Sequence, residues 1–156
     1  MLQYSKANAK LKKLYKVEAL TEWLKFGRWD RKANVYSLDL LSGWSCPFAK
    51  DCKSKVHETG NLTKSGNLET KLKDGIHTLF RCFSASQEAQ YTDTFNLRKH
   101  NFDALRYADN MDLLLMNSLP EDAGIVRIHV AGDFFNADYM RAWYNVASMN
   151  PSILFR

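Results

Sequence analysis

The stretch IVRIHVAGDFFNADYMRAWYNVASMNPSILFR, residues 125–156, decides the fold class. It begins with a predicted strand, Ile125 to Val130, which Gly132-Asp133 ends. Asn136 is a suitable N-cap for a helix that runs to Asn150-Pro151, and the last five residues again favour a strand. Two strands joined by a helix form a βαβ unit with parallel neighbouring strands. The predicted fold class is therefore α/β: a small parallel or mixed sheet with flanking helices, for which a partial (half) barrel of βα units is one arrangement.

The rest of the chain supplies further elements of the same kind. Apolar periodicity predicts two more helices, Ser5–Lys25 and Asn96–Leu119, and strand-forming residues predict two more strands, Asn34–Leu41 and Ile76–Phe83. The stretch from Glu58 to Gly75 is rich in Gly, Asn and Lys, so we expect an exposed loop that can carry a short hairpin. With 156 residues, 46% of them hydrophobic, the chain can bury one core, and we expect a single domain over residues 1–156.

Membrane and secretory segments are not predicted. No apolar run approaches the ~20 residues that span a bilayer, and the N-terminus has no apolar h-region. We therefore expect a cytoplasmic protein without membrane contact, whose cysteines are reduced.

The net charge and one exposed strand edge both indicate which partners the protein could bind. The net charge of +5 favours weak, salt-sensitive association with nucleic acid but does not diagnose it. The predicted C-terminal strand, Ser152 to Arg156, lies at a sheet edge that could accept a strand from a second copy. If the apolar face of the N-terminal helix covers that edge instead, the protein is a monomer. Monomer and homodimer both stay open.

Three cysteines are the main candidate functional residues. Cys46 and Cys52 are six positions apart in SCPFAKDC, a loop long enough to wrap both thiols around one metal centre, and Cys82 follows 30 positions later. Thiolates favour iron–sulfur clusters or zinc over hard cations. Three of them can hold a [4Fe–4S] cluster and leave one iron open to an external ligand. Buried free cysteine is the competing interpretation.

Zinc is the second metal to consider. The chain has no CxxC pair, which zinc sites commonly use, and a zinc site needs a fourth ligand. His57 is the nearest candidate and His77 the next, although both also suit an exposed loop.

Four sequence blocks carry a family resemblance: NAKL at Asn8, SLDLLSGWSCPFAKDC at Ser37, FRCFSASQEA at Phe80 and VRIHVAGDFFNADYMRAW at Val126. In this order they resemble the bacteriophage gene-product-88 family, over nearly the whole chain. The chain ends just inside a strand, so we expect a shortened member of that family. A phage-encoded protein would act in the host cytoplasm.

The resemblance implies a protein similar to radical S-adenosylmethionine proteins. The cysteines Cys46, Cys52 and Cys82 would then hold the cluster, although the usual CxxxCxxC loop is absent. The run Ala131-Gly132-Asp133-Phe134 is similar in position to the Gly-Gly-Glu-Pro run of those proteins. Gly132 would allow close backbone approach and Asp133 would receive an ammonium group. His129 is on the polar side of its predicted strand. In a barrel or half-barrel it would point inward toward a site at the strand end, whereas in an open sheet it would be solvated.

Three functional hypotheses remain. The first is an iron–sulfur protein that also binds S-adenosylmethionine and acts on an unknown small molecule. The second is a non-catalytic cluster protein that serves a redox partner or only its own structure. The third is a zinc-stabilised nucleic-acid-binding module, for which the chain offers no recognised binding motif. The sequence does not decide whether the protein is an enzyme.

Overall fold

The computed structural model describes residues 1–6, 9–25, 32–52, 54–76 and 79–156. The helices are α1 (Ala9–Leu14), α2 (Phe83–Gln90), α3 (Thr92–Arg106), α4 (Met111–Ser118) and α5 (Ala137–Met149). The strands are β1 (Asn34–Leu38), β2 (Lys55–Leu62), β3 (Leu68–Lys73), β4 (Ala123–Ile128) and β5 (Leu154–Phe155). This mixed composition confirms the predicted α/β class.

A three-stranded parallel sheet has the strand order β1-β4-β5. Strand β4 pairs in parallel with both neighbours, with Leu38 opposite Ile128 at the end of β1 and Ile125 opposite Leu154. The β4-α5-β5 segment is therefore the predicted βαβ unit. Asn136 caps α5, because its side chain accepts a hydrogen bond from the backbone N–H of Tyr139 at 2.7 Å. The strands of the described chain do not close a barrel.

The chain forms two compact units. The first contains residues 1–39, 103–130 and 136–156, and the second contains residues 40–102 and 131–135. The parallel sheet belongs to the first unit and the β2–β3 hairpin to the second.

The core of the first unit lies on the sheet. Leu11 and Leu14 of α1 pack with Val35 of β1 and Ile125 of β4, and all four side chains are buried. The half-buried Leu154 of β5 packs against the same cluster. Before α1, the chain adds a single antiparallel bridge, from Ser5 to Ser37 of β1. The N-terminal segment thus covers one face of the sheet and pairs with the β1 edge, while the oligomeric state stays a prediction.

In the second unit, β2 and β3 form an antiparallel hairpin. The hairpin was anticipated at Glu58–Gly75, but its first strand begins earlier, at Lys55. On one face Val56 is buried opposite Leu72, and α2 packs against both strands.

Three predicted elements differ from the structure. The helix expected over Ser5–Lys25 is helical only in α1, followed by two short 3₁₀ turns, and its residues 7–8 lie outside the described ranges. The helix expected over Asn96–Leu119 is interrupted between α3 and α4, because the Asn110 side chain accepts from the Leu113 N–H and starts a new helix. Apolar periodicity continues through such a break and does not reveal it.

The strand expected over Ile76–Phe83 is also wrong in its described part. Residues 79–82 are not in a strand, α2 begins at Phe83, and residues 77–78 lie outside the described ranges. Backbone groups here bond to the cysteine loop and not to a strand ladder: the Leu79 N–H donates to the Asp51 carbonyl, and the Cys82 N–H to the Ser54 hydroxyl.

Within the described ranges, every helix is too short or too polar to cross a lipid bilayer.

We predict that Leu11→Ala lowers the free energy of unfolding by about 2–5 kcal/mol, because Leu11 is fully buried between α1 and the sheet. Urea denaturation followed by circular dichroism measures the loss. Leu113→Ala is the control, since Leu113 is a helical leucine of the same unit that is 56% exposed. Equal losses in the two variants would contradict this assignment of the core.

Candidate functional site

The carboxyl ends of β1 and β4 lie side by side, because the two strands are parallel and in register. Such strand ends are where α/β sheets usually bind ligands. In the first unit, the His129 N–H donates to the Leu38 carbonyl at 3.1 Å. The Val130 N–H then donates to the buried Asp39 carboxylate at 2.6 Å. Hydrogen bonding between the two segments therefore continues past the strand ends, first between backbone groups and then through the Asp39 side chain.

His129 has a left-handed backbone, with φ of 68°. This conformation is uncommon for residues with a Cβ, although histidine adopts it more often than most. The sequence suggested that strand alternation sets the direction of the His129 side chain. It does not, because strand β4 ends at Ile128. Its Nε2 lies 2.9 Å from the hydroxyl of Tyr139, a fully buried residue whose pKa is raised by burial. His129 belongs to the first unit, whereas Asp133 and the cysteines belong to the second.

Gly132 and Asp133 pack against the loop that leads to Cys46. The Leu40 N–H donates to the Ala131 carbonyl at 3.0 Å, and the Asp133 N–H donates to the Ser45 hydroxyl at 3.3 Å. Gly132 has φ of 84°, and a Cβ there would lie 2.6 Å from the Ser45 hydroxyl oxygen. The sequence indicated a glycine needed for close approach, and the structure shows that the approaching group is this loop.

The three cysteines come together in the second unit. Each is half-buried and none forms a disulfide. Cys52 and Cys82 hydrogen-bond through their side chains, and Cys46 is close enough for its charge to act on Cys52. Asp133 is close enough to act on Cys46 in the same way. The fold thus gathers thiols separated by 6 and 30 positions, together with Asp133.

Burial favours the protonated thiol at two of these cysteines, Cys46 and Cys52. Burial raises the pKa of Cys46, and a backbone N–H from Gly43 and the Ser45 hydroxyl offset only part of that effect. The pKa of Cys52 is raised by burial and then by its hydrogen bond to Cys82. In the described ranges, no three His, Cys, Asp or Glu side chains are arranged as a ready set of metal ligands. Thiols must lose their protons to bind a metal, so metal binding here would release protons.

Of the two histidines considered as zinc ligands, the structure describes His57. The His57 ring packs against Trp44, with ring centroids 4.9 Å apart and planes at 68°. His77 lies outside the described residues.

Glu88 and Arg98 form a buried ion pair that connects to the cysteine loop. The sequence did not indicate it. Glu88 of α2 and Arg98 of α3 are 0% and 5% exposed in their side chains and 2.9 Å apart. The same Glu88 oxygen accepts from the backbone N–H of Ser42 at 3.0 Å and from its hydroxyl at 2.7 Å. Helix α2 begins directly after Cys82, and Ser42 lies four residues before Cys46, so Glu88 fixes the two cysteine-bearing segments relative to each other.

Cys82 is the N-cap residue of α2, and its side chain makes no cap hydrogen bond. The Ser86 hydroxyl instead donates to the Cys82 carbonyl at 3.0 Å. Helix α2 therefore starts immediately at the third cysteine.

Large apolar side chains flank the cysteines in an exposed position. Phe48, between the first two cysteines, is 80% exposed, and Phe83, directly after the third, is 70% exposed. Leu79 and Phe80, just before Cys82, are also exposed. Most surface side chains next to a purely structural thiol cluster would be polar, so this apolar rim is typical of a site that receives a partner or ligand.

Comparison with known proteins gives one match. The model of a protein family described as gene product 88 matches residues 2–155. No curated protein and no solved structure matches the chain. The match extends through the cysteine loop, helix α2 and the Gly132-Asp133 turn.

We predict that Arg98→Met destabilises the protein more at pH 8 than at pH 5. Burial already raises the pKa of Glu88, and the variant removes the cation that opposes this. Above about pH 4.3 the carboxyl ionises freely in the unfolded chain, whereas in the folded variant it must ionise in a buried position with the Ser42 donors but without its cation. Its pKa is therefore higher in the folded chain, and stability falls as the pH rises. Urea denaturation at both pH values should show a loss of about 3–5 kcal/mol at pH 8 and less at pH 5.

Arg141→Met is the matched control for this experiment. Arg141 pairs with Asp138 at 2.6 Å, but both side chains are well exposed. Exposed pairs add little stability, so we expect this variant to stay close to the wild type at both pH values. If Arg98→Met behaved in the same way, the buried pair would not hold the two segments.

Proposed function

The chain belongs to the bacteriophage gene product 88 family, and we propose that it is an iron–sulfur protein whose cluster is held by Cys46, Cys52 and Cys82. The observation that carries the proposal is the meeting of these thiols in one unit, with Cys52 hydrogen-bonded to Cys82 and Cys46 within electrostatic range. Isolated structural cysteines have no reason to converge from three places in the chain.

The donor set fits an iron–sulfur cluster by its chemistry. Three half-buried thiols offer soft ligands, and their loops are fixed by Glu88 and by the packing of Gly132. Because burial disfavours the thiolates, cluster binding must release protons and is expected to weaken at low pH. A bound [4Fe–4S] cluster with three protein ligands would supply electron transfer and one iron position open to an external ligand.

Asp133 supports a more specific proposal, that the protein binds S-adenosylmethionine in the manner of radical S-adenosylmethionine proteins. Its carboxylate is close enough to Cys46 to raise the pKa of that thiol, and a carboxylate would supply the negative charge that the ammonium group of that ligand requires. Its backbone N–H is already held by Ser45, which orients the turn. We propose Gly132 and Asp133 as the ligand-binding residues. His129, which the sequence also predicted there, lies in the first unit, where its Nε2 contacts the Tyr139 hydroxyl.

A non-catalytic cluster protein is the second candidate. It is favoured by the small size of the parallel sheet, which has three strands in the described chain. A closed barrel can shield a reactive ligand from solvent, whereas a site with exposed Phe48 and Phe83 beside the thiols suits electron exchange with a redox partner. In either case we propose that the protein acts in the reducing cytoplasm of the host cell, where thiols stay available for a cluster.

We predict that the protein, reconstituted without oxygen with iron and sulfide, absorbs broadly near about 400 nm, as thiolate-bound clusters do. Changing Cys46, Cys52 or Cys82 singly to Ser should remove most of the bound iron, because each removes one soft ligand. Iron and sulfide analysis together with the absorption spectrum measures this. His57→Ala is the control and should keep its iron, since His57 packs on Trp44. Full iron content in all three cysteine variants would refute the cluster site, and zinc that is lost only with His57 would favour the zinc alternative.

We predict that S-adenosylmethionine binds to the cluster-loaded protein and that Asp133→Asn weakens this binding by about tenfold or more, the loss expected when a charged hydrogen-bond partner is removed. Isothermal titration calorimetry measures the affinity, and iron analysis confirms that the variant keeps its cluster. Asp138→Asn is the control, because Asp138 is an exposed aspartate in α5. If the cluster-loaded wild-type protein gives no heat with millimolar S-adenosylmethionine, the binding proposal is wrong and the non-catalytic function is the conclusion.

A further inference from the structure

The face of the β2–β3 hairpin opposite Val56 carries an unusual arrangement of cations. Lys55 lies directly opposite Lys73, and the next pair on the same face places His57 opposite Lys71. Like charges directly opposite each other in an antiparallel pair destabilise the hairpin. The next residue of β3 on this face is an acid, Glu69.

Glu69 neutralises only part of this face. Its carboxylate accepts a hydrogen bond from Thr59 at 2.8 Å and lies 3.6 Å from the ammonium of Lys71. The Lys71 side chain remains 69% exposed, so that contact is weak in water. This face therefore carries three ammonium groups and a neighbouring imidazole but one carboxylate.

Trp44 organises the cationic end of this face. Its ring lies 4.7 Å from the Lys55 ammonium and packs edge-on against the His57 ring. The indole N–H donates to the Val56 carbonyl at 2.9 Å, which fixes the ring beside the hairpin. Even so, Trp44 is 38% exposed. The face thus combines fixed cations with an accessible aromatic surface.

We propose that this face, formed by Lys55, Lys71, Lys73, His57 and Trp44, binds single-stranded nucleic acid. Lysine ammonium groups spaced along a ribbon match the phosphates of a flexible strand, and exposed aromatic rings beside them accept unpaired bases by stacking. A duplex keeps its bases stacked inside and gains nothing from Trp44. The proposal concerns the hairpin alone and does not depend on the iron–sulfur cluster.

The test uses a fluorescently labelled, mixed-sequence, single-stranded DNA of 20 nucleotides and fluorescence anisotropy at 50 to 200 mM salt. With three phosphates neutralised, the logarithm of the binding constant should fall with the logarithm of salt concentration with a slope of about −2. The variant Lys71→Gln/Lys73→Gln should bind about tenfold more weakly or worse, with a slope near about −0.7, since one contact remains. Circular dichroism confirms that this variant is folded.

A charge-matched control separates this site from a general effect of basicity. Lys12→Gln/Lys13→Gln removes the same two charges from exposed positions on α1 and should bind within about twofold of the wild type. The proposal is overturned if the control loses as much affinity as the hairpin variant, if 50 mM salt gives no binding, or if a duplex of the same sequence binds as tightly as the single strand.

Discussion

The pairing of β1 with β4, continued past the ends of both strands, is the interaction on which the rest of the structure depends. Leu38 accepts from the His129 N–H, and the Asp39 carboxylate then takes the N–H of Val130, where a strand ladder would have ended. Both chain segments continue from there into the second unit, one leading to the first cysteine and the other to Asp133. A parallel pair needs long connections between its strands, and this molecule uses the connection after β1 to build its candidate site.

Polar groups inside this arrangement are stabilised by specific partners. Asp39 is almost completely buried and receives the Ser37 hydroxyl in addition to the Val130 N–H. Glu88 receives three donors on one oxygen, while its second oxygen is buried and has no hydrogen-bond partner among the described residues. Such networks are costly to disrupt, because the removal of one partner leaves the other desolvated. They fix the geometry of the cysteine loop more firmly than apolar packing alone would.

The sequence predicted the parts of this molecule that depend on local pattern. The βαβ unit followed from one apolar strand, a helix cap at Asn136 and a helix-ending Asn150-Pro151, and all three signals act within a few residues. Prediction from the sequence failed where a long-range hydrogen bond overrode the local preference for a strand. Residues 79–82 have strand-forming side chains, but their backbone bonds to the cysteine loop. The Glu88–Arg98 pair gave no signal, because nothing in a short polar helix distinguishes a buried glutamate from an exposed one.

The hairpin has a consequence for local dynamics. Two strands alone are barely stable in water, and within β2 and β3 only Val56 is fully buried, under helix α2. The amide hydrogens of this hairpin are therefore expected to exchange with solvent through local opening. Those in the buried centre of β4 are expected to exchange only through global unfolding. Because α2 starts at Cys82 and packs on both strands of the ribbon, any ligand that holds Cys82 in place would also slow that opening. Exchange rates in the hairpin would then report on a site several residues away from it.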